Sequence, residues 1–166
     1  SFYELFWDQS KLLNAKDLIT DNIINVGISS FNSCFNNCTS LTTAPSFENV
    51  TTVGNNGFKM CFEDCSSLTT APTFKNVTTV GQDGFGDCFT GCTSLTTSPT
   101  FKNVTTVNTF GFYNIFYNCT SLQLVYAPNI TTWNTSNFTG WLFGVSPSGV
   151  MYKPTGLEIP TGKDGV

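Results

Sequence analysis

The sequence contains no histidine and very little charge. Its 166 residues include 11 acidic and 7 basic side chains, so that 11% are charged and the net charge is −4, whereas an ordinary soluble domain has about 25% charged residues. Histidine is the side chain most often used in general acid–base catalysis, and nucleic-acid binding needs a basic surface. We therefore expect no enzyme, no nucleic-acid partner and no cofactor.

Long apolar runs and phosphate-binding loops are also missing. No stretch of about 18 apolar residues is present that could cross a bilayer, so we expect no membrane insertion. No glycine-rich loop follows a predicted strand, and the few carboxylates lie at positions that differ between repeats. The 16 phenylalanines nevertheless argue against disorder, because they supply a core.

What the chain has instead is a repeat of 27 residues. Cys38, Cys65, Cys92 and Cys119 follow one another at equal steps of 27. A fixed period of this length is typical of solenoids, in which each copy buries its apolar side chains only by stacking on its neighbours. The leucines of the repeat keep the same step and are Leu41, Leu68, Leu95 and Leu122.

The repeat divides the chain into three parts. Residues 1–30 are predicted to be a degenerate N-terminal copy, residues 31–143 the solenoid itself, and residues 144–166 a C-terminal cap or linker. An irregular terminal copy is usual at a solenoid end, and the Gly- and Pro-rich last part predicts loops with a short hairpin. Since the pattern is already running at Ser1, we expect an open N-terminal edge and a chain that is a processed product or a piece excised from something longer.

Each copy is predicted to contain one short helix and short strands. Phe58, Cys61, Phe62 and Cys65 stand at i, i+3, i+4 and i+7, which is the spacing of one helix face. The Thr- and Val-rich stretches that follow favour strands. Stacked copies would pair these strands in parallel and place like residues over like. The predicted columns are the leucines above, Phe35, Phe62, Phe89 and Phe116, and Asn49, Asn76 and Asn103.

The motif Phe-x-x-Cys-x-Ser-Leu, followed by Pro, Val-Thr-x-Val-Gly and Gly-Phe, runs in one copy from Phe62 to Phe85. In this motif, the sequence resembles the BspA-like leucine-rich repeats of surface proteins from gut bacteria, protozoa and phages. The resemblance covers roughly Phe2 to Phe143. It implies a leucine-rich-repeat-like solenoid, an extracellular, cell-surface or virion location and a role in adhesion, and it supplies no catalytic residues. The period here is longer than the commonest form, and an extra cysteine stands at Cys34, Cys61 and Cys88.

Seven cysteines cannot all pair within one chain. The position held by Cys61 is occupied by Leu5 and Ile115 in other copies, which favours buried free thiols, because a position that accepts Leu and Ile is apolar. One or more disulfides and a zinc site remain as alternatives, although no histidine is present to complete a mixed zinc site.

The recurring asparagines and threonines each have two interpretations. Asn49, Asn76 and Asn103 stand in Asn-x-Thr triplets and could carry glycans, but we favour an asparagine ladder whose amides satisfy backbone groups. The repeated Thr-Thr pairs suit the solvent face of a strand. They could alternatively contact glycans or, more remotely, ice.

Residues at positions that vary between copies are the candidates for binding, because packing does not dictate them. We expect a non-enzymatic adhesion or recognition module, on a cell surface or a phage tail, that makes multivalent contacts with a surface protein or glycan of a host or neighbouring cell. The alternative is a rigid spacer or self-assembling fibre element that stacks through open solenoid ends. The aromatic residues near the C-terminus could bind or could close the end of the solenoid. The predicted binding residues are Thr70, Lys75, Thr97, Lys102, Tyr113 and Tyr117.

Overall fold

A computed structural model of the chain describes residues 1–18, 20–130 and 134–158. Short parallel strands recur along it, and little helix is present in this part of the chain. None of the described helices is long and apolar enough to cross a bilayer. The elements are β1 (Asn25–Val26), β2 (Thr52–Val53), β3 (Thr79–Val80), β4 (Thr97–Thr100), β5 (Thr106–Val107), β6 (Leu124–Tyr126), α1 (Thr135–Phe138) and β7 (Val150–Tyr152).

The strands form two parallel ladders, and each successive strand comes from the next copy. One ladder has the order β1-β2-β3-β5 and pairs Val26 with Val53, Val53 with Val80 and Val80 with Val107. The other has the order β4-β6-β7. Single bridges extend this second ladder towards the N-terminus from Thr97 through Thr70 and Thr43 to Asn14. The copies are therefore stacked coils in register.

Between residues 144 and 158, the structure does not form the expected hairpin, and the rest of that segment lies outside the described residues. Strand β7 pairs in parallel with β6, and Val125 lies opposite Met151. The chain thus adds one more rung to the second ladder instead of folding back on itself. A parallel rung continues the hydrogen-bonding direction of the coils below it, which an antiparallel hairpin would interrupt.

The helix expected in each copy is also wrong. In its place is a run of consecutive turns, called here the turn ribbon (residues 31–38, 58–65, 85–92 and 112–119). The N–H of Cys61 donates to the carbonyl of Phe58 at 3.1 Å, a bond across three residues. The N–H groups of Phe58 and Phe62 donate instead to carbonyls of the next coil, those of Gly84 at 2.8 Å and Cys88 at 2.9 Å. A helix would use nearly all of these donors internally, whereas the ribbon uses alternate donors to join the coils.

Positive φ angles recur at every fourth residue, beginning two residues before each segment of the turn ribbon. In one copy they are found at Asn56 (55°), Met60 (53°) and Asp64 (57°). Most equivalent positions in other copies hold Asn, Asp, Ser or Gly, and Asn, Asp and Gly tolerate this left-handed conformation best. Because the turns repeat every four residues, the side chains at i, i+3, i+4 and i+7 lie on one side of the ribbon, as they would on one face of a helix.

The core consists of stacked aromatic columns. Phe62 lies parallel to Phe35 at 5.2 Å and to Phe89 at 5.5 Å between ring centroids. A second column, which contains Phe58 and Phe85, is met edge-on by Phe74 at 5.0 and 4.9 Å. Large buried rings contribute most of the apolar area in such a core. The leucine column is likewise buried and comprises Leu41, Leu68, Leu95 and Leu122.

The two ends of the stack differ. At the C-terminal end, Trp141 is buried and packs edge-on against Phe138 at 5.5 Å, with exposed apolar side chains beside it. At the N-terminal end, Phe2 and Phe6 are only partly buried. The large apolar side chains exposed in the first copy are Tyr3, Leu5, Trp7, Leu13, Ile24 and Ile28, and those exposed near the other end are Phe143, Val150 and Tyr152.

Candidate functional site: a lysine–tyrosine groove

The seven cysteines are all buried and free. The thiol of Cys65 donates to the carbonyl oxygen of Phe35 at 3.1 Å, and that of Cys119 donates to Phe89 at 3.0 Å. Burial raises the pKa of the Cys34 thiol and that of the Cys119 thiol, each to about 12. Across the described ranges, no group of three or more His, Cys, Asp or Glu side chains could hold a metal. The cysteines therefore contribute packing and hydrogen bonds to the core.

The asparagines of the repeat join successive coils. The Nδ2 atom of Asn76 donates to the carbonyl of Glu48 at 2.9 Å, and that of Asn103 donates to Lys75 at 2.7 Å. Asn49 makes the same bond to Asp21 at 2.8 Å. Each amide thus satisfies a backbone acceptor of the preceding coil, as in an asparagine ladder.

Several threonine hydroxyls make a similar bond. The Oγ1 atom of Thr78 donates to the carbonyl of Thr51 at 3.2 Å, and Thr51 Oγ1 donates to Ile24 at 3.3 Å. A hydroxyl that already donates to the backbone can only accept from a ligand. Thr51 and Thr78 are consequently weaker candidates for ligand contact than the charged side chains.

A shallow groove crosses the coils beside the second ladder. One part has a volume of about 510 Å³ and is lined by Lys75, Lys102 and Tyr126 together with Pro72 and Pro99. A second part of about 230 Å³ shares Lys102 and Tyr126 and adds residues after β6 and residues at the end of β7, among them Tyr152 and Lys153. We call the two parts together the lysine–tyrosine groove, which is defined by Lys75, Lys102, Tyr126, Tyr152 and Lys153.

The groove is positively charged although the protein as a whole is acidic. It contains three of the chain's seven basic side chains, and none of its described lining residues is a carboxylate. Lys75 Nζ forms an ion pair with Glu48 of the preceding coil, and Lys153 donates to the carbonyl of Leu157. Lys102 is exposed and has no ion-pair partner among the described residues. Among the three lysines of the groove, it is therefore the one most available to a ligand.

Two tyrosines continue the groove towards the C-terminus. Tyr126 and Tyr152 are opposite each other in the pairing of β6 with β7. Their rings stack at 5.3 Å with an angle of 13° between their planes. Sequence reasoning missed Tyr152 and Lys153 as candidates, because the 27-residue pattern no longer marks equivalent positions at β7.

A family model described as "BspA type Leucine rich repeat region (6 copies)" matches residues 12–88. This stretch, called here the BspA-type region, is similar to that family and makes up less than half of the chain. This family is typically associated with surfaces and adhesion. Neither the curated proteins nor the solved structures gave a significant match. The phenylalanine and leucine columns of the BspA-type region continue beyond it through Phe116 and Leu122.

The structure divides the predicted binding residues between two places. Thr70, in the BspA-type region, bridges to Thr97 on the next coil, and each directly precedes a groove-lining residue, Ala71 or Ser98. Lys75 and Lys102 lie in the groove itself. The remaining two, Tyr113 and Tyr117, lie on the turn ribbon and do not line the groove; they pack against Phe110 at 5.8 Å and Phe143 at 5.0 Å, respectively.

Proposed function

We propose that this chain is a non-enzymatic recognition module that acts outside the cell, on a cell surface or a virion, and adheres through the lysine–tyrosine groove. The observation that carries the proposal is the position of Lys75 and Lys102, which occupy the same place on adjacent coils and line one groove. The surface association of the BspA-type family supports it. In this proposal, the partner is a surface protein or glycan of a host or neighbouring cell.

The mechanism is multivalent contact from a rigid surface. Each coil presents one or two side chains to the groove, and the stacked phenylalanines hold neighbouring coils in a fixed register. A preorganised surface loses little conformational freedom on binding. Contacts that are each too weak to hold a ligand can then bind it together, because after the first contact has formed the others form within the same complex. No cofactor, bound nucleic acid or membrane insertion is part of this mechanism.

The test is binding of the purified chain to an array of glycans and surface proteins, with light scattering on the same sample. We expect a specific hit from a monomeric protein, and we expect the double variant Lys75→Gln/Lys102→Gln to lose it. The double variant Lys11→Gln/Lys16→Gln removes the same charge from the degenerate first copy and should retain binding. A hit that the groove variant leaves unchanged would place recognition elsewhere, and the absence of any hit would reject the proposal.

A second candidate function is a spacer or self-assembling fibre element. The exposed apolar side chains of the first copy, which include Leu5 and Leu13, favour it, because an uncovered solenoid edge is a template for pairing. In that case, the apparent molar mass from light scattering should rise with protein concentration, and Leu5→Lys should abolish the rise. A monomer at every concentration would exclude this candidate.

A further inference from the structure

The lysine–tyrosine groove runs across the coils and not along any one strand. Its first part is lined by residues 71–73, 75, 98–100, 102 and 126, which belong to three successive coils, and its second part reaches residue 154. Neighbouring strands in a sheet are about 4.8 Å apart, and the stacked rings of Phe35 and Phe62 are separated by 5.2 Å. Equivalent backbone positions along the groove thus recur at a distance close to the length of one sugar residue in a polysaccharide.

Backbone groups beside the groove are already paired between coils. The N–H of Gln123 donates to the carbonyl of Thr96 at 3.0 Å, and the N–H of Ala127 donates to Tyr152 at 2.8 Å. An extended peptide usually binds a sheet by adding main-chain hydrogen bonds at a free edge. The groove crosses the rungs of the ladder and meets the last described strand, β7, only at one end, so that along most of its length it offers a ligand side chains and no free main-chain edge. This favours a ligand that is recognised through its charges and hydroxyls.

The lining chemistry matches an acidic carbohydrate. A lysine ammonium group is a compact point charge with three donors, which suits a ring carboxylate. The phenol oxygens of Tyr126 and Tyr152 can both donate and accept, which suits sugar hydroxyls. Pro72 and Pro99 add apolar surface for the C–H faces of sugar rings. The groove is shallow and crosses several coils, a shape that fits a polymer better than a small molecule.

We propose that the lysine–tyrosine groove binds an anionic polysaccharide whose sugar rings carry carboxylates and whose chain runs across the coils from Lys75 to Lys153. This inference rests on the proposed recognition function and names its ligand class. Lys102 is the main charged contact because it has no ion-pair partner among the described residues. Lys75 contributes less, because Glu48 partly neutralises it. Glu48 therefore limits the affinity of the groove.

The experiment measures binding of the whole chain to fluorescently labelled alginate, a polyuronate, at low and at physiological salt. We expect Lys102→Gln to weaken binding by about fivefold, the effect of one exposed charge pair. Glu48→Gln should strengthen binding by about two- to fivefold, because it releases Lys75. Lys59→Gln is the matched control. Lys59 lies on the turn ribbon, outside the groove, with its Nζ 3.6 Å from Asp83 Oδ1, and its replacement should leave the affinity for alginate unchanged.

The comparison ligands separate the possible failures. Neutral dextran that binds as tightly as alginate would overturn the role of charge. Poly-glutamate that binds as tightly would identify an acidic peptide as the ligand and overturn the assignment to a polysaccharide. A specific hit on the glycan and protein array without alginate binding would reject this inference and leave the recognition function standing. No binding to any of these would reject both.

Discussion

The thiol of Cys92 donates a hydrogen bond to the carbonyl oxygen of Phe62 on the preceding coil at 3.1 Å. The same carbonyl also accepts the N–H of Cys65 at 3.2 Å within its own coil. One acceptor thus closes a turn and joins two coils. Cysteine suits this position because it is small and apolar and still carries a weak donor.

We expect all seven thiols to be inert towards a thiol reagent in the native protein. Every cysteine is buried and free, and the thiolate, which is the reactive form, is disfavoured by burial. The measurement is the number of thiols that react with a chromogenic disulfide reagent at pH 8, before and after addition of guanidinium. The expected counts are none and seven. Rapid reaction in the native state would place the thiols on the surface.

Stability should fall as the pH rises above about 8.5, the usual pKa of a thiol. Burial raises the pKa of folded Cys34 and of folded Cys119 to about 12. Between these values the unfolded chain loses thiol protons that the folded chain keeps, so ionisation favours unfolding. The contribution of these two thiols to the free energy of unfolding is fully present below about pH 8.5 and is lost progressively as the pH rises towards about 12.

Urea unfolding at pH 7, 9 and 10 measures this loss. Cys119→Val removes one titrating group and should make the decline less steep, by up to about 1.4 kcal/mol per pH unit. Asn108→Asp is the control: it changes an exposed residue and leaves all seven thiols in place. Above pH 8, its stability should decline with the same slope as that of the wild type. An identical slope in wild type and Cys119→Val would contradict the explanation.

Phe62→Ala should destabilise the protein by about 3–5 kcal/mol. The ring is buried and stacked between Phe35 and Phe89, so its removal leaves a cavity in the middle of a column. Phe143→Ala is the control. Phe143 is 50% exposed at the C-terminal end, so this substitution should lower the free energy of unfolding by less than about 1 kcal/mol. Denaturant unfolding compares the two, and a similar small cost for both would contradict the column.

Gly81→Ala should destabilise the protein by about 1–3 kcal/mol. A Cβ atom at Gly81 would lie 2.7 Å from the carbonyl carbon of Gly54 and 2.8 Å from the backbone nitrogen of Asn55. Both atoms belong to the backbone of the preceding coil, which cannot yield without opening the stack. Gly27→Ala is the matched control, because its Cβ would meet only Ser30 Oγ, at 3.3 Å. Equal unfolding midpoints for the two variants would refute the close approach.

The step of 27 residues was enough to predict the stacking of the coils. Like residues can lie over like only if every coil has the same length, and the pairing of Val53 with Val80 follows directly from that step. The same reasoning placed Phe62 and Leu68 in the core. It also made Lys75 and Lys102 neighbours, which is the part of the groove that a reader of the sequence could find.

The choice between helix and turn ribbon required the tertiary structure. A spacing of i, i+3, i+4 and i+7 fits both, and the local sequence does not distinguish them. The ribbon forms because alternate N–H groups, such as that of Phe62, bond to the next coil, and that partner is 26 residues away in the chain. The one local signal was Asn, Asp, Ser or Gly at most of these fourth residues, and it is interrupted by Glu4, Met60 and Phe110.

The sequence alone therefore determined the period, the parallel stacking and the identity of the buried columns, because these depend only on equal spacing and on which side chains avoid water. Tertiary structure alone decided the backbone of the turn ribbon and the completion of the groove by Tyr152 and Lys153. Both depend on hydrogen bonds between distant segments: the inter-coil bonds of the ribbon and the parallel pairing of β7 with β6. A repeat pattern specifies which coils lie next to each other. Only the contact between coils decides which backbone N–H groups bond to the neighbouring coil and which bond within their own coil.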